Sequence, residues 1–361
     1  MRHNGVCYDV GREMLGQNWR PEFDPAVVRR ELEIIRQDLH CNAVRIQGFS
    51  LDRLETASGF ALDAGLEVWF SPEMWDHPPD EMVPFLARGA EVAERLRRAY
   101  GDRLVMSVGS EVSLFSQGFV PGANVLERLQ APNFLEIVRS GRHNAPLNEF
   151  LGAACRSVRA TFHGPLTYAS LGFETVDWGP FDFVGADLYR DGRFYDRYPE
   201  IVRRYVDLGK PFANLEFGCC TFRGAEQWGG RGWQVVDWSK HPPGLTGDFA
   251  YDQDAQAREV AGLLRVNHEV GVDATFVFTF VEPGAGLDEV QRRELDRISF
   301  DLDLPRYSLE KTLRPSARGT TYPDLPWEPK ESFRAVAEFY ASHPPGSGPA
   351  PPGSAPGGDA A

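Results

Sequence analysis

Two glutamates stand where apolar runs give out: Glu111, at the end of "LVMSVGSE", and Glu216, in "FANLEF". A pair of carboxylates can divide labour, one giving up a proton while the other stays charged, provided their surroundings push their pKa values apart. The two lie far apart in the chain, so only tertiary structure can join them. Other reactive types fall at comparable places. Arg45 ends "NAVR", Asp187 and Tyr189 end "FVGADLY", and Asn214 precedes Glu216 on its run. Glu73 and Glu282 are spare carboxylates after two further apolar runs, able to bind hydroxyls or to displace either member of the pair. Each has a plainer reading too. Glu111 suits the first turn of a helix, where the macrodipole favours an anion; Arg45 suits a structural ion pair, and Tyr189 a core aromatic with a bonded hydroxyl.

What would position these residues is a repeated unit. Eight β-rich runs are expected at 5–10, 42–46, 66–71, 104–111, 165–170, 181–189, 212–217 and 274–280. Helices are expected at 24–39, 51–65, 80–100, 147–162, 200–209 and 252–270. In the first, Asp24 can cap with Pro25 behind it, and Val27, Val28, Leu32, Ile35 and Leu39 keep helical spacing. Strand followed by helix, repeated about eight times, is the pattern of a TIM (β/α)₈ barrel. The competing doubly wound sheet would carry a GxGxxG or P-loop fingerprint after an early strand, and none is present. Only 172–180 separates the fifth and sixth strands, too little for a full helix, whereas long loops follow strand 4 (113–146) and strand 7 (218–250).

Barrel enzymes keep their chemistry at the C-terminal ends of the strands. Alternation along each strand then sorts side chains into two faces. Val105, Ser107, Gly109 and Glu111 share one face of strand 4, Phe212, Asn214 and Glu216 one face of strand 7, and Arg45 and Gln47 one face of strand 2. Trp75 follows strand 3, Trp178 precedes strand 6 and Trp228 lies in the strand 7 loop, where rings can lie against the apolar face of a sugar or simply anchor a loop.

Strand 4 ending in "GSE", strand 7 in "NLEFG", the Arg of "NAVRI" and the Tyr of "DLY" together resemble the clan of retaining glycoside hydrolases built on (β/α)₈ barrels. The resemblance implies that Glu111 is the acid/base and Glu216 the nucleophile, with Arg45 and Tyr189 orienting Glu216, and that the substrate is a carbohydrate cleaved by double displacement. The chain departs from that clan at Ser110, where an Asn that commonly contacts the sugar 2-hydroxyl is usual. This departure keeps open a barrel that binds a carbohydrate or a partner without cleaving it. "MRHNGVCYDVGREM" with "NWRPEFD" and "DLHCNAVRI" also resembles actinobacterial proteins labelled abortive-infection proteins, which implies a role in phage defence.

Composition narrows the classes. Among 361 residues, 42% are hydrophobic and 25% charged, the balance of a globular protein. A net charge of −14 argues against a nucleic-acid partner, which needs a concentrated basic surface, so "RLRRAY" (95–100) reads as a solvated helix face. No apolar run is long enough to span a membrane, and the opening residues lack a signal-peptide core. Five cysteines without framework spacing suit a reducing cytoplasm, and adjacent Cys219 and Cys220 read as small residues at a strand exit. No cofactor is expected. Metal binding finds no HExxH or Cys/His cluster, although Asp9, Glu73, Asp187 and Glu282 would converge if a divalent ion were held. Residues 1–342 are expected to form one barrel and 343–361, rich in Pro, Gly, Ser and Ala, a disordered tail. Nothing in the sequence speaks to oligomeric state.

Overall fold

A computed structural model describes residues 1–132, 134–237, 244–280, 303–305, 321–325 and 327–346. Eight parallel strands form the barrel: β1 (His3–Asp9), β2 (Ala43–Gly48), β3 (Glu67–Pro72), β4 (Leu104–Ser110), β5 (Leu166–Ala169), β6 (Val184–Asp187), β7 (Phe212–Phe217) and β8 (Ala274–Val277). Their order is β5-β4-β3-β2-β1-β8-β7-β6. The seam between β5 and β6 closes through a parallel bridge of Ser170 with Ala186. There the Ser170 N–H donates to the Gly185 carbonyl (3.2 Å) and the Asp187 N–H to the Ser170 carbonyl (2.9 Å). The fold is thus the expected TIM barrel.

Six helices fall where periodicity put them: α1 (Pro25–Gln37), α2 (Leu51–Asp63), α3 (Pro79–Tyr100), α4 (Asn144–Arg159), α5 (Tyr198–Val206) and α6 (Gln253–Val270). Asp24 caps α1 by accepting the Ala26 N–H, and Val28, Leu32 and Ile35 bury its inner stripe. The arginines at the end of α3 are paired: Arg97 and Arg98 reach Glu94, and Arg95 reaches Glu55. A seventh helix, α7 (Glu331–Ser342), was not anticipated. It packs beside α6 and sends the buried Tyr340 hydroxyl to the Gly5 carbonyl of β1 at 2.9 Å. Among the described residues, no helix is long and apolar enough to cross a membrane. All five cysteines are buried free thiols. The expected tail lies outside the described residues from 347 onward.

The barrel floor is aromatic. His3, Trp69, Phe183 and Phe276 meet inside it with ring centroids 4.9–6.3 Å apart. This plug identifies the inward face of β1, β3 and β6 and leaves polar residues to the other end. The two long loops sit at that other end. After β4 come short helices at Val112–Phe115, Val125–Gln130 and Phe134–Ser140; after β7 come 3₁₀ turns at Ala225–Gln227 and Gly229–Val235.

Alternation fails at two bulges. In β7 the register pairs Gly185 with Ala213 but Asp187 with Glu216, so three residues oppose two. Phe212 accordingly stacks on Tyr205 of α5, and Asn214 bonds Asn267 of α6, both on the outer face. The bulge turns only Glu216 inward. In β4, Ser107 pairs with Thr167 and Ser110 with Ala169, another irregular step, and Gly109 takes φ 131° within it. Ser110 thereby joins the interior that strict alternation reserved for Gly109.

Gly185 marks how tight the seam is. A Cβ there would overlap the Tyr168 carbonyl oxygen and lie 2.6 Å from Thr167 Oγ1 and 2.7 Å from Leu215 Cδ1. Because one contact is backbone, relief requires β5 to move. Gly185→Ala is expected to cost about 1–3 kcal/mol by overpacking, measured by urea unfolding; unchanged stability would mean the seam has slack.

Candidate active site

The polar residues at the strand ends converge on Arg45. Its side chain is fully buried. Nε donates to Ser71 Oγ (3.1 Å), Nη1 to Glu216 Oε1 (3.1 Å), the Leu215 carbonyl (3.1 Å) and Asp187 Oδ1 (3.4 Å), and Nη2 to Glu73 Oε1 (3.3 Å). Four strands, β2, β3, β6 and β7, position this one ion cluster.

Glu216, 6% exposed, is ringed by donors. Besides Arg45, the Gln47 amide donates to Oε1 at 2.6 Å and the Tyr189 hydroxyl to Oε2 at 3.2 Å. The same Gln47 nitrogen reaches Glu73 Oε1 at 3.0 Å. A second guanidinium, Arg12, sits 3.9 Å from Glu216 and 4.0 Å from Glu73, held by Asp9 at 2.5 Å and flanked by the rings of Phe278 (5.1 Å) and Trp75 (5.2 Å). Burial alone would lower the pKa of Arg12 and Arg45, but the surrounding carboxylates more than reverse it, so both are fixed cations.

Glu111 follows β4 directly. It is the N-cap residue of the Val112–Phe115 helix, yet its side chain makes no capping bond. The helix-start reading is therefore right about the backbone and leaves the carboxyl unassigned. Burial, then repulsion from Asp187, Glu216 and Glu174, holds Glu111 well above the usual carboxylate range, against the pull of Arg45. Asp187 is also pushed well up, by burial and then Glu216, although it accepts from Arg45 and from the Ser110 hydroxyl at 3.1 Å. Glu73 is raised to about 7, mainly by burial, against Arg12 and Arg45. Two carboxyls that influence one another thus have opposed settings. Glu216 is surrounded by donors; Glu111 is crowded by like charges.

The remaining sequence candidates divide. Trp75 stacks on Phe115 (centroids 4.4 Å) beside Arg12 at the site. Trp228 is half-buried in the strand 7 loop near Arg231, and the adjacent Gly230 backs onto the Tyr189 ring. Asn214 does not reach the site: it faces the helix layer, where it bonds Tyr198 and Asn267, because the bulge displaced the alternation that had grouped it with Glu216. Trp178 is at the opposite end of the barrel. Its loop has by then descended from the top of β5 to the foot of β6, where its carbonyl accepts from Lys210 Nζ at 2.6 Å. Glu282 lies outside the described residues. Asp9, Glu73 and Asp187 each face a guanidinium instead of a shared cation position.

Residues not singled out from sequence include Arg12, Gln47, Tyr168 and Glu174. Gln47 shares the face of Arg45 two residues on, a signal that parity already carried. Arg12 lies just past β1, in the kind of loop that builds a barrel's reactive end. Glu174 and Tyr168 gave no local signal.

Glu73 supplies a test of these electrostatics. Its pKa is higher folded than unfolded, so between about pH 4.5 and 7 the native state holds a proton that the unfolded chain has lost, and stability falls as pH rises through that window. Neutral Glu73→Gln escapes this, so its stability relative to wild type should grow by about 3 kcal/mol from pH 4.5 to 8. Denaturant unfolding at the two pH values measures it. A pH-independent difference would contradict the assignment.

No family model matches the chain, and no curated protein does. Solved structures do resemble it. The GH113 β-mannanase from Alicyclobacillus acidocaldarius, in complex with ManMIm, superposes with a TM-score of 0.57 at 15% identity, covering 94% of this chain and 97% of that one. A GH113 β-1,4-mannanase gives 0.56 at 12% identity, covering 94% and 99%. The GH5-4 broad-specificity endoglucanase from Clostridium longisporum gives 0.54 at 11% identity, covering 94% and 96%. At such identities the likeness establishes a shared fold, the (β/α)₈ barrel.

Proposed function

We propose that this barrel is a retaining glycoside hydrolase in which Glu111 is the acid/base and Glu216 the nucleophile. The observation that carries the reading is a contrast between two carboxyls: Glu216, held by Arg45, Gln47 and Tyr189, and Glu111 at the end of β4, whose pKa burial and its charged neighbours push well up. In the first step Glu111 gives its proton to the glycosidic oxygen while a Glu216 oxygen attacks the anomeric carbon, and the leaving group departs as the alcohol. Water then attacks the glycosyl ester, losing its proton to Glu111 and releasing Glu216. Retaining pairs work at a carboxyl separation of about 5–5.5 Å. Glu73 Oε2, buried without a hydrogen-bond partner among the described residues, is suited to take a substrate hydroxyl. Since structural neighbours are named a β-1,4-mannanase and an endoglucanase, oligomers of mannose and of glucose are the first to try.

A second reading is binding without cleavage, of a carbohydrate or a protein partner. It takes its support from Ser110, whose short side chain is engaged with Asp187 instead of reaching outward. A role in phage defence rests on the sequence resemblance alone.

Kinetics separate the readings. Glu216→Gln should abolish turnover of aryl glycosides while still binding oligosaccharide. Glu111→Ala should lower kcat/KM for poor leaving groups by about 10²–10⁴ and hardly affect dinitrophenyl glycosides, which need no protonation. Equal losses for both classes would remove the acid role, and oligosaccharide binding by a wild-type protein without turnover would favour the second reading.

A further inference from the structure

Glu111 occupies the left-handed region at φ 51° and ψ 34°, a conformation that a residue with a long side chain adopts only when its surroundings insist. Those surroundings come from β5 and the short connection after it. The Glu111 N–H donates to the Ala169 carbonyl at 2.8 Å, the Val112 N–H to the Tyr168 hydroxyl at 2.9 Å, and the Ser113 N–H to Glu174 Oε1 at 3.1 Å. Tyr168 in turn donates its hydroxyl proton to Glu174 Oε2 at 2.9 Å, an oxygen that also accepts the Leu171 N–H at 2.9 Å. An N-cap residue ordinarily turns its own side chain onto these first amides. Here a carboxylate from 61 residues away does so.

We propose that Glu174, acting with Tyr168, is the positioning residue for Glu111: it caps the helix that Glu111 opens, so that the Glu111 carboxyl is free to face Glu216 and carry the proton. The inference rests on the reading of Glu111 as proton donor. It explains why a connection too short for a helix nonetheless carries a buried acid: burial raises the pKa of Glu174, but the Ser113 and Leu171 N–H groups and the Tyr168 hydroxyl that it accepts favour its charged form, which fixes the turn and repels charge on the neighbouring Glu111 carboxyl. Among the described residues the groups facing Glu111 are Asp187, Glu216, Glu174, Tyr168, Tyr189 and Arg45, and of the carboxyls among them it is Glu174 that also bonds its turn.

Tyr168→Phe and Glu174→Gln, each checked for folding by thermal unfolding, make the test. Tyr168→Phe removes the hydroxyl but keeps the charge; it should lower kcat/KM for poor leaving groups by about tenfold or more, spare dinitrophenyl glycosides, and move the alkaline limb of the pH profile little. Glu174→Gln should produce the same bias and also move that limb to lower pH, because losing a nearby negative charge lowers the pKa of Glu111. Equal losses on both substrate classes with an unmoved limb would overturn the proposal in favour of a structural role. If wild-type protein cleaves no glycoside, the hydrolase reading fails, and carboxyl ¹³C NMR still decides the positioning. The Glu111 resonance, assigned by its loss in Glu111→Gln, should titrate at lower pH in Glu174→Gln. An unchanged titration would overturn it.

Discussion

One guanidinium holds the polar end of this barrel together. Arg45 is fully withdrawn from water, and an ion so placed is tolerated only when opposite charge and hydrogen-bond acceptors replace its hydration. Its replacements come from three other strands: Glu73 after β3, Asp187 on β6, and Glu216 with the Leu215 carbonyl on β7. The cluster can form only when the ring closes, and without Arg45 its carboxylates would lose the cation they share. Fold and site are in this sense one constraint.

The cluster also carries a surplus of acid. Asp9, Glu73, Glu111, Asp187 and Glu216 share two guanidiniums, Arg12 and Arg45, with Glu174 behind Glu111. Asp9 is matched by Arg12, and Glu216 collects the donors of Arg45, Gln47 and Tyr189. Burial, before any neighbouring charge, pushes Glu111, Asp187, Glu73 and Glu174 upward. The raised pKa of Glu111 thus comes from burial first and from like charge second, and it is this setting that the proposed role as proton donor would use.

Much of this was legible because apolar runs that end in charge are unusual, and eight runs together dictate where the charges land. Glu111, Glu216, Arg45, Asp187, Tyr189 and Glu73 were proposed from their places at strand ends, and the structure brings them into one cluster. What misled was the assumption of unbroken alternation. A bulge in β7 sends Asn214 to the helices while admitting Glu216, and one in β4 brings Ser110 inward alongside the residue that follows it. Bulges depend on the neighbouring strand, which a single run does not reveal. Trp178 was misplaced because a loop's residues are divided between both ends of a barrel, and its position nearer β6 than β5 puts it at the floor. Glu174 was invisible for a different reason: its partners, Ser113 and Tyr168, belong to separate segments, and a capping acid supplied from another loop leaves no spacing to read.

The most direct measurement is covalent. Incubation with 2-deoxy-2-fluoro β-mannosides and β-glucosides carrying a dinitrophenolate leaving group, followed by peptide mass spectrometry, should place a glycosyl ester on Glu216. An ester on Glu73 or Glu111, or no ester with any of them, would contradict the assignment of Glu216 as the group that attacks.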